Sequence, residues 1–199
     1  METELEAKFL NIEPDVLRAK LAKQGAALIY TERMMKRKNF DYPDKRLEKI
    51  GGWIRLRDEG DKITLAYKRV IDRTLLEGTK EICVNVNDFD RATNLLIAIG
   101  LDQKSYQETK REKWLYNDVE ITIDTWPWIP TFVEFEGSTE EKLRNAVDAF
   151  GFDWSEALHG SVEVAYQRSY DVSEEEIDSW ETITFIPIPD WLEIRRKIS

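Results

Sequence analysis

Glu4-Leu5-Glu6-Ala7-Lys8 is the stretch on which the reading of this chain turns. Side chains alternate across an extended strand, so Glu4, Glu6 and Lys8 share one face while Leu5, Ala7 and Phe9 share the other. An ordinary half-buried strand would turn such charges to water. The same division recurs downstream. In Trp53-Ile54-Arg55-Leu56-Arg57 the arginines oppose Ile54 and Leu56. Over 62–68, Ile63, Leu65 and Tyr67 oppose Lys62, Thr64, Ala66 and Lys68; over 80–86, Ile82, Val84 and Val86 oppose Glu81, Cys83 and Asn85. Further strands are expected over 109–116, 119–124 and 132–136. There Val119, Ile121 and Ile123 oppose Glu120, Thr122 and Asp124, and Val133 and Phe135 oppose Glu134 and Glu136.

Helical signals lie between these strands. Pro14 suits a first helical position, Leu17 and Leu21 are one turn apart, and Gly25 fits the end. Ala92, Leu95, Leu96 and Ile99 mark a helix over 88–99, and Ser138 with Glu141 reads as a capping box before Leu143, Ala146, Val147 and Phe150. The stretch 33–44 reads as a basic run (Lys36, Arg37, Lys38) entering a turn at Pro43. Beyond His159 a helix, a last strand and a tail are expected. Each helix needs an apolar surface, and the apolar strand faces are the available partner. The charged faces are then left for an open solvated sheet or for the lumen of a closed barrel, and pattern alone does not separate the two.

The chain has 199 residues, long enough for one domain with a real core, and shows no internal repeat. Without an apolar run of roughly 18 residues or a basic-then-apolar leader, it is expected to be soluble and cytoplasmic, with no membrane partner. A lone cysteine, Cys83, permits no internal disulfide and reads as a small filler. A lone histidine, His159, leaves little room for His-based metal sites or a Ser-His-Asp triad. The net charge of −10 argues against extended nucleic-acid binding, but a locally positive cleft can still take a small anion.

The charged faces carry the bases Lys8, Arg55, Arg57, Lys68 and Arg111, and the acids Glu4, Glu6, Glu81, Asp124, Glu134 and Glu136. Enclosed charges are costly unless paired. Phosphate oxygens would satisfy the bases, and a hard divalent cation would satisfy the carboxylates. The implied ligand is a metal-bound polyphosphate.

These residues also carry a family resemblance. Glu4-Leu5-Glu6-Ala7-Lys8, Phe40-Asp41-Tyr42-Pro43-Asp44, Ile54-Arg55-Leu56-Arg57, Lys68, Glu81, Arg111-Glu112-Lys113-Trp114, Asp124 and Phe132-Val133-Glu134-Phe135-Glu136 resemble the CYTH domains, or triphosphate tunnel metalloenzymes. That group contains class IV adenylate cyclases, thiamine triphosphatases and inorganic triphosphatases. The resemblance implies an α+β fold: a closed eight-stranded antiparallel β-barrel with helices outside, spanning 1–170, followed by an acidic extension over 171–199. It further implies that Mg²⁺ or Mn²⁺ is held by Glu4, Glu6 and one or both of Glu134 and Glu136, with Asp124 and Glu81 as further candidates. Phosphate would be held by Lys8, Arg55, Arg57, Lys68, Arg111 and Arg168. Lys8, Lys68 and Asp124 are the catalytic candidates, Asp124 as the acid positioning a second metal or the attacking water.

Some positions depart from the family pattern. Thr109 stands where members often have lysine, Lys110 lies on the opposite face, and Met35-Lys36-Arg37 differs from the acid-bearing segment of cyclases. Trp126-Pro127-Trp128-Ile129-Pro130 reads as aromatic packing under a loop, with base stacking as the alternative. The run Glu174-Glu175-Glu176 reads as a solvated segment. The expected activity is hydrolysis of a small triphosphate, inorganic or attached to a nucleoside or thiamine, by a monomer or homodimer. A class IV adenylate cyclase, a non-catalytic polyphosphate- or nucleotide-binding module and an RNA 5′-triphosphatase are the alternatives.

Overall fold

The computed structural model describes the backbone of residues 2–71 and 79–197, and side chains over 5–71 and 80–197. Strands β1 (Glu2–Phe9), β2 (Ala27–Asp41), β3 (Gly52–Asp58), β4 (Ile63–Val70), β5 (Thr79–Val86), β6 (Asp102–Tyr116), β7 (Val119–Thr125) and β8 (Phe132–Gly137) form one curled antiparallel sheet. Its order is β2-β3-β4-β5-β1-β8-β7-β6, and β6 pairs again with β2. The wall is uneven: β1 meets β5 over three residue pairs, Glu2 with Glu81 to Glu4 with Thr79. Between β4 and β5 the pairing runs from Ile63 with Val86 to Val70 with Thr79. The architecture is a tunnel-like α+β fold. A short β9 (Thr182–Ile183) adds parallel to β6.

The strand expected from 109 starts much earlier, and the stretch read as a basic run ending in a turn is itself a strand. Both β2 and β6 are 15 residues long. Their ladder shifts register at Leu28/Tyr30, Tyr30/Arg33 and Asn39/Phe40. Each bulge lets the strand bend and resets which face a side chain takes, so period-two alternation is broken there. The β6–β7 connection is a two-residue turn in which Asn117 and Asp118 both take positive φ (48° and 63°), the conformation asparagine and aspartate tolerate best among residues with a Cβ.

Helices α1 (Pro14–Lys23) and α3 (Glu140–Ala149) cover the outer faces of β1, β6, β7 and β8. Leu17, Leu21, Leu143 and Val147 pack there against Leu5, Phe9, Ile121, Val133 and Phe135. The cap of α3 is Thr139, whose side chain accepts from the Lys142 N–H, rather than the Ser138–Glu141 box expected from spacing. Helix α2 (Phe89–Ala98), capped by Asp88, sets Leu96 against Phe40 and Leu56 beside β3. No described helix covers β5, where Ile82 and Val84 are 51% and 52% exposed, so the expectation that helices jacket every apolar strand face fails on that side.

The remaining helices, α4 (Glu163–Ser169), α5 (Glu174–Asp178) and α6 (Asp190–Glu193), fold over one end. Tyr166, Tyr170, Val172, Ile177, Ile183 and Leu192 form a separate apolar cluster there with Trp126, Ile129 and Phe132. The acidic run is helical: Ser173 and Glu176 form a capping box, and Arg195 pairs with Glu176 at 2.8 Å. No described helix is long and apolar enough to cross a membrane.

Phe135 is fully buried, with its ring 5.9 Å from Phe9 and 5.5 Å from Phe152. Phe135→Ala is expected to cost about 3–5 kcal/mol through lost burial and the cavity left behind, read as a lower urea midpoint.

Candidate functional site

Inward side chains from all eight main strands line a cavity of about 1410 Å³. Alternation delivers them: on most strands the apolar partners are taken up by the outer clusters, while Ile82 and Val84 of β5 stay exposed, and the charged set faces the hollow. Glu6 comes from β1, Arg37 and Asn39 from β2, and Arg55 and Arg57 from β3. Thr64 and Lys68 come from β4, and Glu81 and Cys83 from β5. Arg111 and Lys113 come from β6, Glu120 from β7, and Glu134 and Glu136 from β8.

Most of these charges answer one another. Arg111 is forked onto Asp124 at 2.6 and 2.9 Å and donates a further bond to Glu134 at 2.8 Å. The other Glu134 oxygen takes the Lys8 ammonium at 2.7 Å. Burial alone would push the Glu134 carboxyl up, but Lys8 and Arg111 overcome it and hold it well below the usual carboxylate range. Glu81 sits between Arg55 (3.1 Å) and Lys68 (3.2 Å). Arg57 is held by Glu59 at 2.6 Å, and Lys113 by Glu120 at 2.5 Å.

Two carboxylates stand apart from this network. Glu6 and Glu136 are cross-strand partners on β1 and β8, and neither forms an ion pair or hydrogen bond with a described residue. Burial pushes the Glu6 carboxyl up against the pull of Lys8, and enclosure followed by repulsion from Glu120 and Glu6 pushes up that of Glu136. Arg37 is isolated in the same way: it makes no ion pair, and its Nε is buried without a hydrogen-bond partner.

Several expected site residues take other positions. Lys8 and Asp124 are each 1% exposed and lie behind the cavity surface, where they hold Glu134 and Arg111. The Lys8 ammonium also donates to the Gly160 carbonyl at 3.1 Å. Glu81 serves as a counter-ion to two bases, not as an open carboxylate. Arg168 is exposed on α4, outside the lining. The Glu4 side chain lies outside the described residues, although its backbone pairs with Thr79. Lys110 points away, toward Glu32 and Phe185, as its parity required. Cys83 faces the hollow with its thiol pushed up by burial and by Glu81, which fits an unreactive role.

The sequence reading missed Glu59, Arg37 and Glu120 as members of the site. Glu59 follows Arg57 by two residues and is 4% exposed, a spacing that would have flagged it. The Nδ1 of His159 donates to the Glu6 carbonyl at 3.0 Å and helps seat β1. The Trp126 loop is packed, with Tyr166 donating to the Pro127 carbonyl at 2.8 Å and Tyr170 to that of Trp128.

Residues 2–170 match the CYTH domain family model. The chain belongs to the CYTH family. Among solved structures, this CYTH domain is similar to a putative adenylate cyclase from Vibrio parahaemolyticus (TM-score 0.72, 17% identity, covering 83% of this chain and 98% of that one). It is similar to a conserved hypothetical protein from Pyrococcus furiosus (TM-score 0.66, 19% identity, 82% and 99% covered). It also resembles a putative adenylyl cyclase from Hippeastrum described as having a dominant triphosphatase activity (TM-score 0.50, 14% identity, 88% and 94% covered). At these identities the likeness carries the fold alone. No curated protein matches the sequence.

The isolated carboxylates of the CYTH domain make its stability sensitive to pH. Glu6 and Glu136 ionise less readily in the fold than in the unfolded chain, so the native state holds protons that the unfolded state has released. Stability therefore falls as pH rises through the interval above the ordinary carboxylate pKa. The ligand-free protein is expected to melt higher at about pH 5 than at about pH 7, and the Glu6→Gln/Glu136→Gln double variant to flatten that slope, as read by calorimetry.

Proposed function

We propose that this CYTH domain binds the phosphate chain of a small triphosphate together with Mg²⁺ or Mn²⁺ and hydrolyses it at the terminal phosphorus. The observation that carries the reading is the incomplete neutralisation of the cavity wall. Among the described residues, Arg37 on one side and Glu6 with Glu136 on the other have no partner of opposite charge, and a metal-bound polyphosphate supplies one to each. We infer also that the β2–β6 pairing closes the tunnel around this ligand.

The donor set fits a hard cation. Glu6 and Glu136 are adjacent carboxylates with raised pKa values and no competing base, while Glu134 and Asp124 are committed to Lys8 and Arg111. No three described acidic, histidine or cysteine side chains form a cage by themselves. That suits Mg²⁺, which commonly takes only one or two carboxylates and completes its shell with water and phosphate oxygens. When bound there, the cation would neutralise developing charge and hold phosphate oxygens in place.

Arg55, Arg57, Lys68 and Arg111 would accept the phosphate chain, each loosening a resident carboxylate contact as it does so. Glu81 and Glu59 keep these bases oriented before binding, and Asp124 holds the Arg111 fork flat. Lys8 neutralises Glu134, which would otherwise repel an incoming phosphate. In the reaction, water forms the new bond to the terminal phosphorus as the bridging P–O bond breaks, leaving orthophosphate and the shortened chain. Positioning and charge stabilisation supply the catalysis, so no protein nucleophile is required.

What supports hydrolysis over cyclisation is that the aromatic loop is already engaged. Trp126 is 4% exposed, and its ring carries Arg37 instead of an open face for a base. Incubation with inorganic triphosphate, ATP, GTP and thiamine triphosphate in Mg²⁺ or Mn²⁺, with products identified by mass, is expected to yield orthophosphate. Cyclic AMP with pyrophosphate would establish the cyclase reading instead, and binding without turnover would establish a binding module. Glu136→Gln is expected to abolish turnover while leaving much of the phosphate contact in place.

A further inference from the structure

Arg37 occupies the middle of β2, with Arg57 on β3 and Gln107 on β6 as its backbone partners. Its neighbours across the sheet are thus a second guanidinium and an amide. The guanidinium carbon lies 4.4 Å from the centre of the Trp126 ring. Arg55, Arg57 and Arg111 each have a carboxylate of their own in Glu81, Glu59 and Asp124. Arg37 has none. Burial, followed by the like charge of those same arginines, pushes its pKa well down. Stacking on a ring offsets only part of the cost of enclosing an unpaired charge. Free of any ligand, the fold carries Arg37 at a loss.

We propose that Arg37 is a phosphate-binding residue of the tunnel, gripping non-bridging oxygens of the bound chain beside Arg57 and favouring the more highly charged ligand. This rests on the triphosphate reading above and adds a residue from β2 to it. A guanidinium presents a planar fork matched to phosphate oxygens, and contact with the Trp126 ring keeps it at the wall before the ligand arrives. No resident ion pair has to break, unlike at Arg55 or Arg57. The site two residues before Arg111 is neutral Thr109, so β6 supplies no cation at that level of the wall.

The test uses the full chain and its Arg37→Met and Arg37→Lys variants in Mg²⁺. Binding of hydrolysis-resistant imido analogues of inorganic triphosphate and diphosphate is measured by calorimetry, alongside ligand-free melting. Arg37→Met is expected to melt at or above the wild-type temperature and to bind the triphosphate analogue about tenfold more weakly or worse, with a smaller loss for the diphosphate. Arg37→Lys should recover part of the affinity. Equal triphosphate affinity in wild type and Arg37→Met overturns the role of Arg37 alone. A variant that melts well below wild type assigns Arg37 to structure and also overturns it. Failure of the wild type to bind the triphosphate analogue removes the triphosphate reading and this proposal with it.

Discussion

Arg111 is bound in a fork to Asp124 and joined to Glu134, which in turn holds Lys8, and this buried ionic chain ties β6, β7, β8 and β1 together on the inner side of the sheet. Such a chain has to be nearly complete. Removing one partner strands a charge in a poorly solvated wall, which costs several times what an exposed pair is worth, on the order of 3–5 kcal/mol. The same requirement governs the rest of the hollow, where Glu81 and Glu59 serve Arg55, Lys68 and Arg57.

A wall neutralised in this way is preorganised but not inert. Side chains bound to each other are already ordered, so a ligand replaces existing contacts rather than freezing loose ones. The net gain is therefore greatest where neutralisation is incomplete. That is the physical reason for proposing a cation at Glu6 and Glu136 and an anion at Arg37. It also explains why Lys8 and Asp124, prominent in the sequence, act through their neighbours in the ligand-free fold.

The outer side follows a different logic. Apolar strand faces need cover, and α1, α2 and α3 supply it with their own apolar side chains. The segment after Tyr170 continues the cover around the Trp126 loop, burying Val172, Ile177, Ile183 and Leu192. Glu174 and Asp178 of that segment also line the cavity, so its acidic character bears on the mouth of the hollow as well as on solvent.

The alternation in β1, β3, β4, β7 and β8 was legible from residues alone, because an unbulged strand assigns faces strictly by parity. With it came the antiparallel class and most of the inward charges, while helical spacing marked the three longer helices and the resemblance of the quoted motifs pointed to the family. The bulged β2 was not legible, and Arg37 was missed with it, since each register shift resets parity. Nor could spacing say which acid answers which base. Glu81 and Glu134 carry the same carboxylate, yet one became a counter-ion to Arg55 and Lys68 and the other was claimed by Lys8 and Arg111. The sequence by itself determined which residues face inward on the unbulged strands. Only the tertiary structure decided which of them are left without a partner, because pairing depends on distances between strands far apart in the chain.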